Sequence, residues 1–365
     1  APELVAVAEA FDLPGLVTSI APLGNGNVND TYRVDTASGA CFVLQRLNTA
    51  VFSKPELVMA NLLALARHVN AKGDQAGCQV PSPVPLRNGG ECLLRQPDGS
   101  AWRLLTFIAG THSLDVLENG EQAEQVGRGL GRFHALVHDL PGDQLHDTLE
   151  GFHVTPRYLE RYQDVLTRSA LPPCPESEAC QQFVQQRLNL VPVLENARKA
   201  GRLQLRPIHG DPKVNNVMLC QTSGRAVALV DLDTVKPGLP HYDIGDCLRS
   251  ACNPAGEEST DLGAVHFNLE LAEALLRGYL AEAGSCLSSA DLAHLYDAIR
   301  LLPFELGLRF FTDHLAGNVY FKASHCRQNL DRARVQFRLT ESIEAQEPAL
   351  RALIARLTSS NELMP

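Results

Sequence analysis

The chain has 365 residues, 45% hydrophobic and 20% charged, which is enough apolar material for a sizeable core in one two-lobed body or two domains. A net charge of −10 excludes a global electrostatic case for nucleic acid or an anionic membrane. Ten scattered cysteines show neither CxxC nor zinc-finger spacing and read as reduced thiols of a cytoplasmic protein, with no signal peptide and no apolar run long enough to span a membrane.

In chain order, residues 3–12 predict a short amphipathic helix. A loop bearing Gly24 and Gly26 leads into a strand at 31–34, a turn at 37–39 and a strand at 41–47. Residues 55–69 place Val58, Leu62, Leu65 and Val69 at helical spacing. Two more strands follow around a turn at 97–99, so residues 1–107 predict a small lobe dominated by an antiparallel sheet. Helices prevail from 108 to 365, at 122–139, 156–169, 176–199, 265–283, 289–314 and 331–357. A strand hairpin at 217–219 and 226–230 interrupts them. Periodicity alone leaves this β-rich small lobe and helical large lobe as one architecture among several.

The chemically informative stretch is 207–246, PIHGDPKVNNVMLCQTSGRAVALVDLDTVKPGLPHYDIGD. Asp211 and Asn216 precede the first strand of the hairpin, and Asp231 closes the second. The hairpin returns the chain on itself, so Asn216 and Asp231 meet at one end. An amide oxygen and a carboxylate there can share a hard cation such as magnesium. Asp211 stands beside them to accept the proton of an attacking hydroxyl. Asp and Asn also end strands and favour turns. That explains one such residue, but not HxDxxxxN followed by an apolar strand and an apolar-Asp-apolar-Asp strand end. The layout is that of a phosphoryl-transfer site.

His209-Gly210-Asp211 with Asn216, followed by Val230-Asp231-Leu232-Asp233, resembles the aminoglycoside-phosphotransferase-like small-molecule kinases. The resemblance implies an α+β, protein-kinase-like fold of two lobes: a nucleotide-binding lobe at 1–107, and a helical lobe at 108–365 carrying the catalytic hairpin and a sugar-binding region. It implies Asp211 as the catalytic residue, Asn216 and Asp231 as magnesium ligands, Asp233 as a further acidic contact, and Asp243 and Asp246 as chiefly structural. The segments LGNGNVNDTY, FVLQRLN, HGDPKVNNVML, VDLDTVKPG, YDIGDCLR and ELGLRFFTDHLAGNVYF are similar, in order and spacing over most of the chain, to the bacterial N-acetylhexosamine 1-kinases. That similarity implies ATP and Mg2+ as cofactors and the anomeric hydroxyl of N-acetylglucosamine or N-acetylgalactosamine as acceptor.

Glu305, Arg309 and Asp313 recur at i, i+4 and i+8 on one helical face, as in a surface ion-pair ladder. The alternative is a hexose pocket, which needs several fixed polar groups, with Arg309 and Tyr320 on the sugar hydroxyls. The loop from Gly24 to Asn29 is a loose GxGxxG and not a Walker loop. Gly24 and Gly26 permit close approach of phosphate, while Asn27 and Asn29 can instead face the acceptor. Phe107 and Ile108 fall between the lobes, where backbone groups hold an adenine. Kinases of this fold carry a lysine on the third strand, paired with a glutamate on the next helix. Strand 41–47 offers only Gln45 and Arg46 as candidates for phosphate, and the helix has Glu56 only near its start. His134 and His138 lie four apart on a helix without the glutamate of a zinc-protease motif, and predict no metal site.

Two other functions stay open. A kinase of homoserine or choline is one, although a choline pocket needs aromatic faces and the single tryptophan, Trp102, falls in the small lobe. A non-catalytic pseudokinase that binds nucleotide or sugar is the other, favoured by the missing lysine and opposed by Asp211, Asn216 and Asp231. The expected partners are a small-molecule sugar and ATP, with no nucleic acid and no membrane; oligomeric state is not set by the sequence.

Overall fold

The computed structural model describes residues 2–24, 28–73 and 77–361. Two loop candidates, Gly26 and Asn27, lie outside the described residues. The small lobe comprises α1 (Pro2–Glu9), β1 (Val17–Pro22), β2 (Asp30–Thr36), β3 (Cys41–Leu47), α2 (Pro55–Lys72), β4 (Leu94–Arg95) and β5 (Ala101–Thr106). Its five strands form an antiparallel sheet in the order β1-β2-β3-β5-β4. Side chains alternate across the pleat. Val34, Phe42, Leu44, Trp102 and Leu104 therefore face one way, over Val7 and Phe11 at the α1 end. Gln45 and Arg103, paired in register, face the other. Strand β1 was not foreseen, because none of its residues is fully buried and so no apolar alternation marks it.

The large lobe holds β6 (Thr111–His112), α3 (Gly120–Val137), α4 (Thr155–Arg168), α5 (Pro175–Gln185), α6 (Val193–Lys199), β7 (Arg206–Ile208), β8 (Val217–Cys220), β9 (Ala226–Leu229) and β10 (Lys236–Gly238). It continues with α7 (Pro240–Ala251), α8 (Leu269–Ala283), α9 (Ser289–Ala293), α10 (Leu295–Leu315), α11 (Gln328–Ala345) and α12 (Glu347–Asn361). The fold is the expected α+β, protein-kinase-like one. The three longest predicted helices are each broken. Segment 176–199 divides into α5 and α6, and 289–314 into α9 and α10, with α9 opened by a Ser288/Asp291 capping box. Segment 331–357 divides at Gln346. Helix α7 went unpredicted because almost every residue in it is buried, so no polar face reveals its period.

Two packing features set the site. Helices α3 and α8 cross at backbone contact: a Cβ on Gly127 would lie 2.0 Å from the Leu275 carbonyl oxygen, and one on Gly278 would lie 2.2 Å from that of Glu124. Helix α2 belongs to the large lobe's core as much as to the sheet, since Val58, Leu62 and Leu65 share a cluster with Val126, Leu130 and Phe133. Buried Asn61 fastens it there, donating to the carbonyls of His146 (2.8 Å) and Val235 (3.0 Å).

Candidate active site

The loop between β7 and β8 carries His209, Gly210 and Asp211, and its backbone is held from several sides. Asp243, on α7, accepts the N–H groups of His209 (2.6 Å) and Gly210 (2.8 Å). His134 contacts that carboxylate at 2.8 Å, and its other ring nitrogen is 2.8 Å from the Tyr279 hydroxyl, so the close α3–α8 crossing supports the loop that carries Asp211. Gly210 sits at φ +87, and a Cβ there would come within 2.6 Å of the Thr234 carbonyl oxygen. His209 donates from Nε2 to the Val230 carbonyl (2.9 Å) and accepts the Asp211 N–H at Nδ1 (3.2 Å), an arrangement that fits the neutral ring. Burial lowers its pKa in the same sense.

Strands β8 and β9 pair with Val217 opposite Leu229, and Val230 N–H bonds to the Asn216 carbonyl at 3.0 Å. The hairpin therefore brings Asn216 and Asp231 to one end. Asn216 Nδ2 donates to the Asp211 carbonyl (2.7 Å), which leaves its Oδ1 without a hydrogen-bond partner among the described residues. Asp231 is in the left-handed region at φ +61 and exposed. Protein crowded round it, then the nearby Asp233 and Asp211 carboxylates, hold its pKa above the usual carboxylate range. An accessible carboxylate in so negative a setting, beside a spare amide oxygen, is a donor set that fits a divalent cation with hard oxygen ligands. Two protein ligands suit magnesium, which takes its remaining positions from phosphate and water.

Two cations of this site were not singled out from the sequence. Lys213, two residues after Asp211, places its ammonium 3.1 Å from the Asp211 carboxylate. Asp211 and, less strongly, Asp231 raise its pKa against the effect of burial. Its spacing was the available signal. Arg103, on β5, is 1% exposed and lies 2.5 Å from Asp233, itself 3% exposed. A lone charge inside the apolar strand AWRLLT was the clue, since a buried charge requires a partner.

In the small lobe, Gly24 lies at φ +68 at the exposed mouth between β1 and β2. Gln45 accepts from Arg103 Nε (2.9 Å) and Nη2 (2.6 Å) and donates to Thr31 (3.1 Å). Arg46 is on the opposite face of β3, across from Trp102 in register, with Asp98 3.9 Å away. The structure thus separates the two phosphate candidates. Phe107 and Ile108 directly follow β5; Arg33 lies over the Phe107 ring at 5.0 Å, and the Ile108 carbonyl accepts from Thr111 (2.8 Å). Asn29 is buried and bonded to Asp233 and to the Asn48 N–H, which turns it away from an acceptor.

The 305–321 block is not a surface ladder. Glu305 is buried, with His153 at 2.7 Å and Thr155 at 2.5 Å. Asp313 is buried too and accepts the N–H groups of Val319 (3.0 Å), Tyr320 (2.8 Å) and Phe321 (2.9 Å), which fixes the loop after α10. Arg309 and Tyr320 both line a cleft of about 380 Å³ with Phe152, Tyr158 and Phe321. Arg309 has no ion pair or hydrogen bond among the described residues; its guanidinium stands 5.2, 5.0 and 5.4 Å from the rings of Phe152, Tyr158 and Phe321. Asp211 is not in the cleft lining. The link is His153, which follows the cleft wall and contacts the Gly210 carbonyl through Nε2 at 2.7 Å. Aromatic faces are therefore present despite the remote Trp102, but an arginine occupies them.

A two-lobed phosphotransferase is the class that this hairpin, loop and sheet define. The chain belongs to the phosphotransferase enzyme family, whose profile matches residues 19–286. In fold it is similar to a microcompartment-associated aminopropanol kinase (TM-score 0.65, 18% identity, covering 96% of this chain and 99% of that one). It is also similar to a choline kinase from Cryptosporidium parvum Iowa II (TM-score 0.61, 13% identity, 99% of each chain). A third similar structure is an amicoumacin kinase in complex with AMP-PNP and Ca2+ (TM-score 0.59, 16% identity, 98% of this chain and 93% of that one). No helix among the described residues is long and apolar enough to cross a membrane.

Proposed function

We propose that the protein transfers the γ-phosphoryl group of ATP to the anomeric hydroxyl of an N-acetylhexosamine, giving the sugar 1-phosphate. Arg309 is the observation that carries the acceptor half. Its guanidinium fills the aromatic faces of the cleft, where Arg161 adds further positive charge at the lining while Arg157 is paired with Glu150. An ammonium acceptor about 6 Å from one such cation would be repelled by about 3 kcal/mol at an effective dielectric near 20. A neutral polyol has no such penalty. It offers hydroxyl oxygens to the free guanidinium N–H groups and an apolar ring face to Tyr320 and Phe321.

In this reading Asp211 accepts the proton of the acceptor hydroxyl as its oxygen attacks the γ-phosphorus and the bond to ADP breaks. Lys213, beside Asp211, offsets charge on the transferring group. Asn216 Oδ1 and Asp231 would hold Mg2+. Bound there, magnesium would neutralise charge on the nucleotide phosphates. ATP would lie between the sheet and the large lobe, with its adenine at Phe107 and Ile108 and its phosphates under the loop at Gly24. The intact set of Asp211, Asn216 and Asp231 opposes a non-catalytic role.

Initial rates with Mg2+ and ATP across a panel of acceptors test the reading. N-acetylglucosamine and N-acetylgalactosamine should turn over faster than choline, ethanolamine, aminopropanol and homoserine. Turnover of an amino alcohol with none of either hexosamine overturns the acceptor assignment.

A further inference from the structure

The expected lysine–glutamate pair is absent, and its nearest stand-ins are engaged elsewhere. Gln45 is spent on Arg103 and Thr31, Arg46 faces outward, and Glu56 pairs with Arg95 at the surface, 2.8 Å away. Among the described residues, one ion pair with both partners buried joins the lobes: Arg103 to Asp233. Asn29, just past the glycine-bearing loop, adds a second tie, donating to Asp233 Oδ2 at 2.6 Å while accepting the Asn48 N–H at 2.9 Å.

We propose that the buried Arg103–Asp233 pair replaces the missing lysine–glutamate pair, so that Asp233 anchors the metal-binding loop to the nucleotide lobe and is not itself a metal ligand. The proposal rests on the phosphotransfer reading of the site. Both Asp233 oxygens are committed to the small lobe, Oδ1 to Arg103 and Oδ2 to Asn29, so neither is left to share a cation with Asp231. Asp233 lies two residues after Asp231, which caps the 3₁₀ segment Leu232–Thr234 that contains it, so anchoring Asp233 restrains the backbone that carries Asp231. Arg103 is held flat in turn by Gln45, which accepts from two of its nitrogens. A lysine could not reproduce that fork. Arg103 Nη1 is buried without a hydrogen-bond partner among the described residues, so the ion pair to Asp233 and the fork to Gln45 carry the charge of this side chain. Arg103 is therefore a positioning residue acting on Asp231 through Asp233.

The test compares wild type with Arg103→Met, Arg103→Lys, Asp233→Asn and the double variant Arg103→Met/Asp233→Asn. Affinity for Mg·ATP is measured by calorimetry without acceptor, and KM for ATP and for acceptor separately. Arg103→Met should weaken Mg·ATP by about tenfold to a hundredfold and leave the acceptor KM unchanged. Arg103→Lys should restore only part. The double variant leaves no lone buried charge, so it folds even where a single variant does not, and it should bind Mg·ATP better than Arg103→Met. A double variant that binds Mg·ATP more weakly still makes Asp233 a metal ligand and overturns the proposal. So does Arg103→Met with wild-type Mg·ATP affinity, or with both KM values rising together. Wild-type protein that binds no Mg·ATP overturns the phosphotransfer reading as well, so the two failures are distinct.

Discussion

Replacing His153 tests the tie between the Arg309 cleft and the loop that carries Asp211. Its ring nitrogens lie 2.7 Å from Glu305 Oε1 and 2.7 Å from the Gly210 carbonyl. Both partners are acceptors, so the ring satisfies both only as an imidazolium donating from each nitrogen. Burial opposes that charge, but the Glu305 carboxylate overrides it, and the His153 pKa ends above the ordinary 6.5. His153→Gln would leave Glu305, at 1% exposure, without its cation. Breaking a buried pair in this way costs about 3–5 kcal/mol. Glu305→Gln should cost a similar amount, and the double variant less than the sum, by on the order of 1–3 kcal/mol. The sign with pH follows from linkage: a raised folded pKa gives stability that is complete below the unfolded value and lost as pH rises through the folded one. Urea unfolding across a pH series should show wild type losing this contribution as pH climbs above 6.5 through the raised pKa of His153, and His153→Gln lacking the loss. An unchanged pH profile in His153→Gln, or single effects that add in full, would refute the charged-pair account.

Three other outcomes are expected. Asp211→Asn should lower kcat by about 10²–10⁴-fold with unfolding midpoints unchanged, since among the described residues its half-buried side chain makes one ion pair, to Lys213; steady-state rates and urea curves on the same sample check this. Arg309→Met should raise the acceptor KM by about tenfold to a hundredfold, as loss of hydrogen bonds to a charged group does, and leave the ATP KM alone. Gly210→Ala should destabilise by about 1–3 kcal/mol, because it forces a side chain at φ +87 to within 2.6 Å of the Thr234 carbonyl oxygen; denaturant unfolding reads it directly.

What the sequence disclosed follows from how local each feature is. Strand β3 is legible at 41–47, its observed span, because a short apolar run follows a turn at 37–39. The hairpin at 217–230 and the meeting of Asn216 with Asp231 follow from a turn of a few residues. Arg103, His153 and Asp313 act through partners that only tertiary packing brings near: Asp233, Glu305 with Gly210, and the backbone after α10. No spacing along the chain encodes those contacts. The i, i+4, i+8 pattern of Glu305, Arg309 and Asp313 was legible but ambiguous, because a ladder and a buried polar face share one period. Burial separates them, and burial depends on α4, α11 and the 147–153 loop packing around α10. The lysine's absence was visible; its replacement was not, because Arg103 sits on a different strand from the one where a lysine was sought.

Phosphorus NMR of the product tests the central claim most directly. With Mg2+, ATP and N-acetylglucosamine or N-acetylgalactosamine, the account requires ADP and a phosphomonoester whose phosphorus couples to the anomeric proton, absent with Asp211→Asn. A phosphorus coupled to the protons of another sugar carbon, or ATP left intact beside either hexosamine while an amino alcohol is phosphorylated, would contradict it.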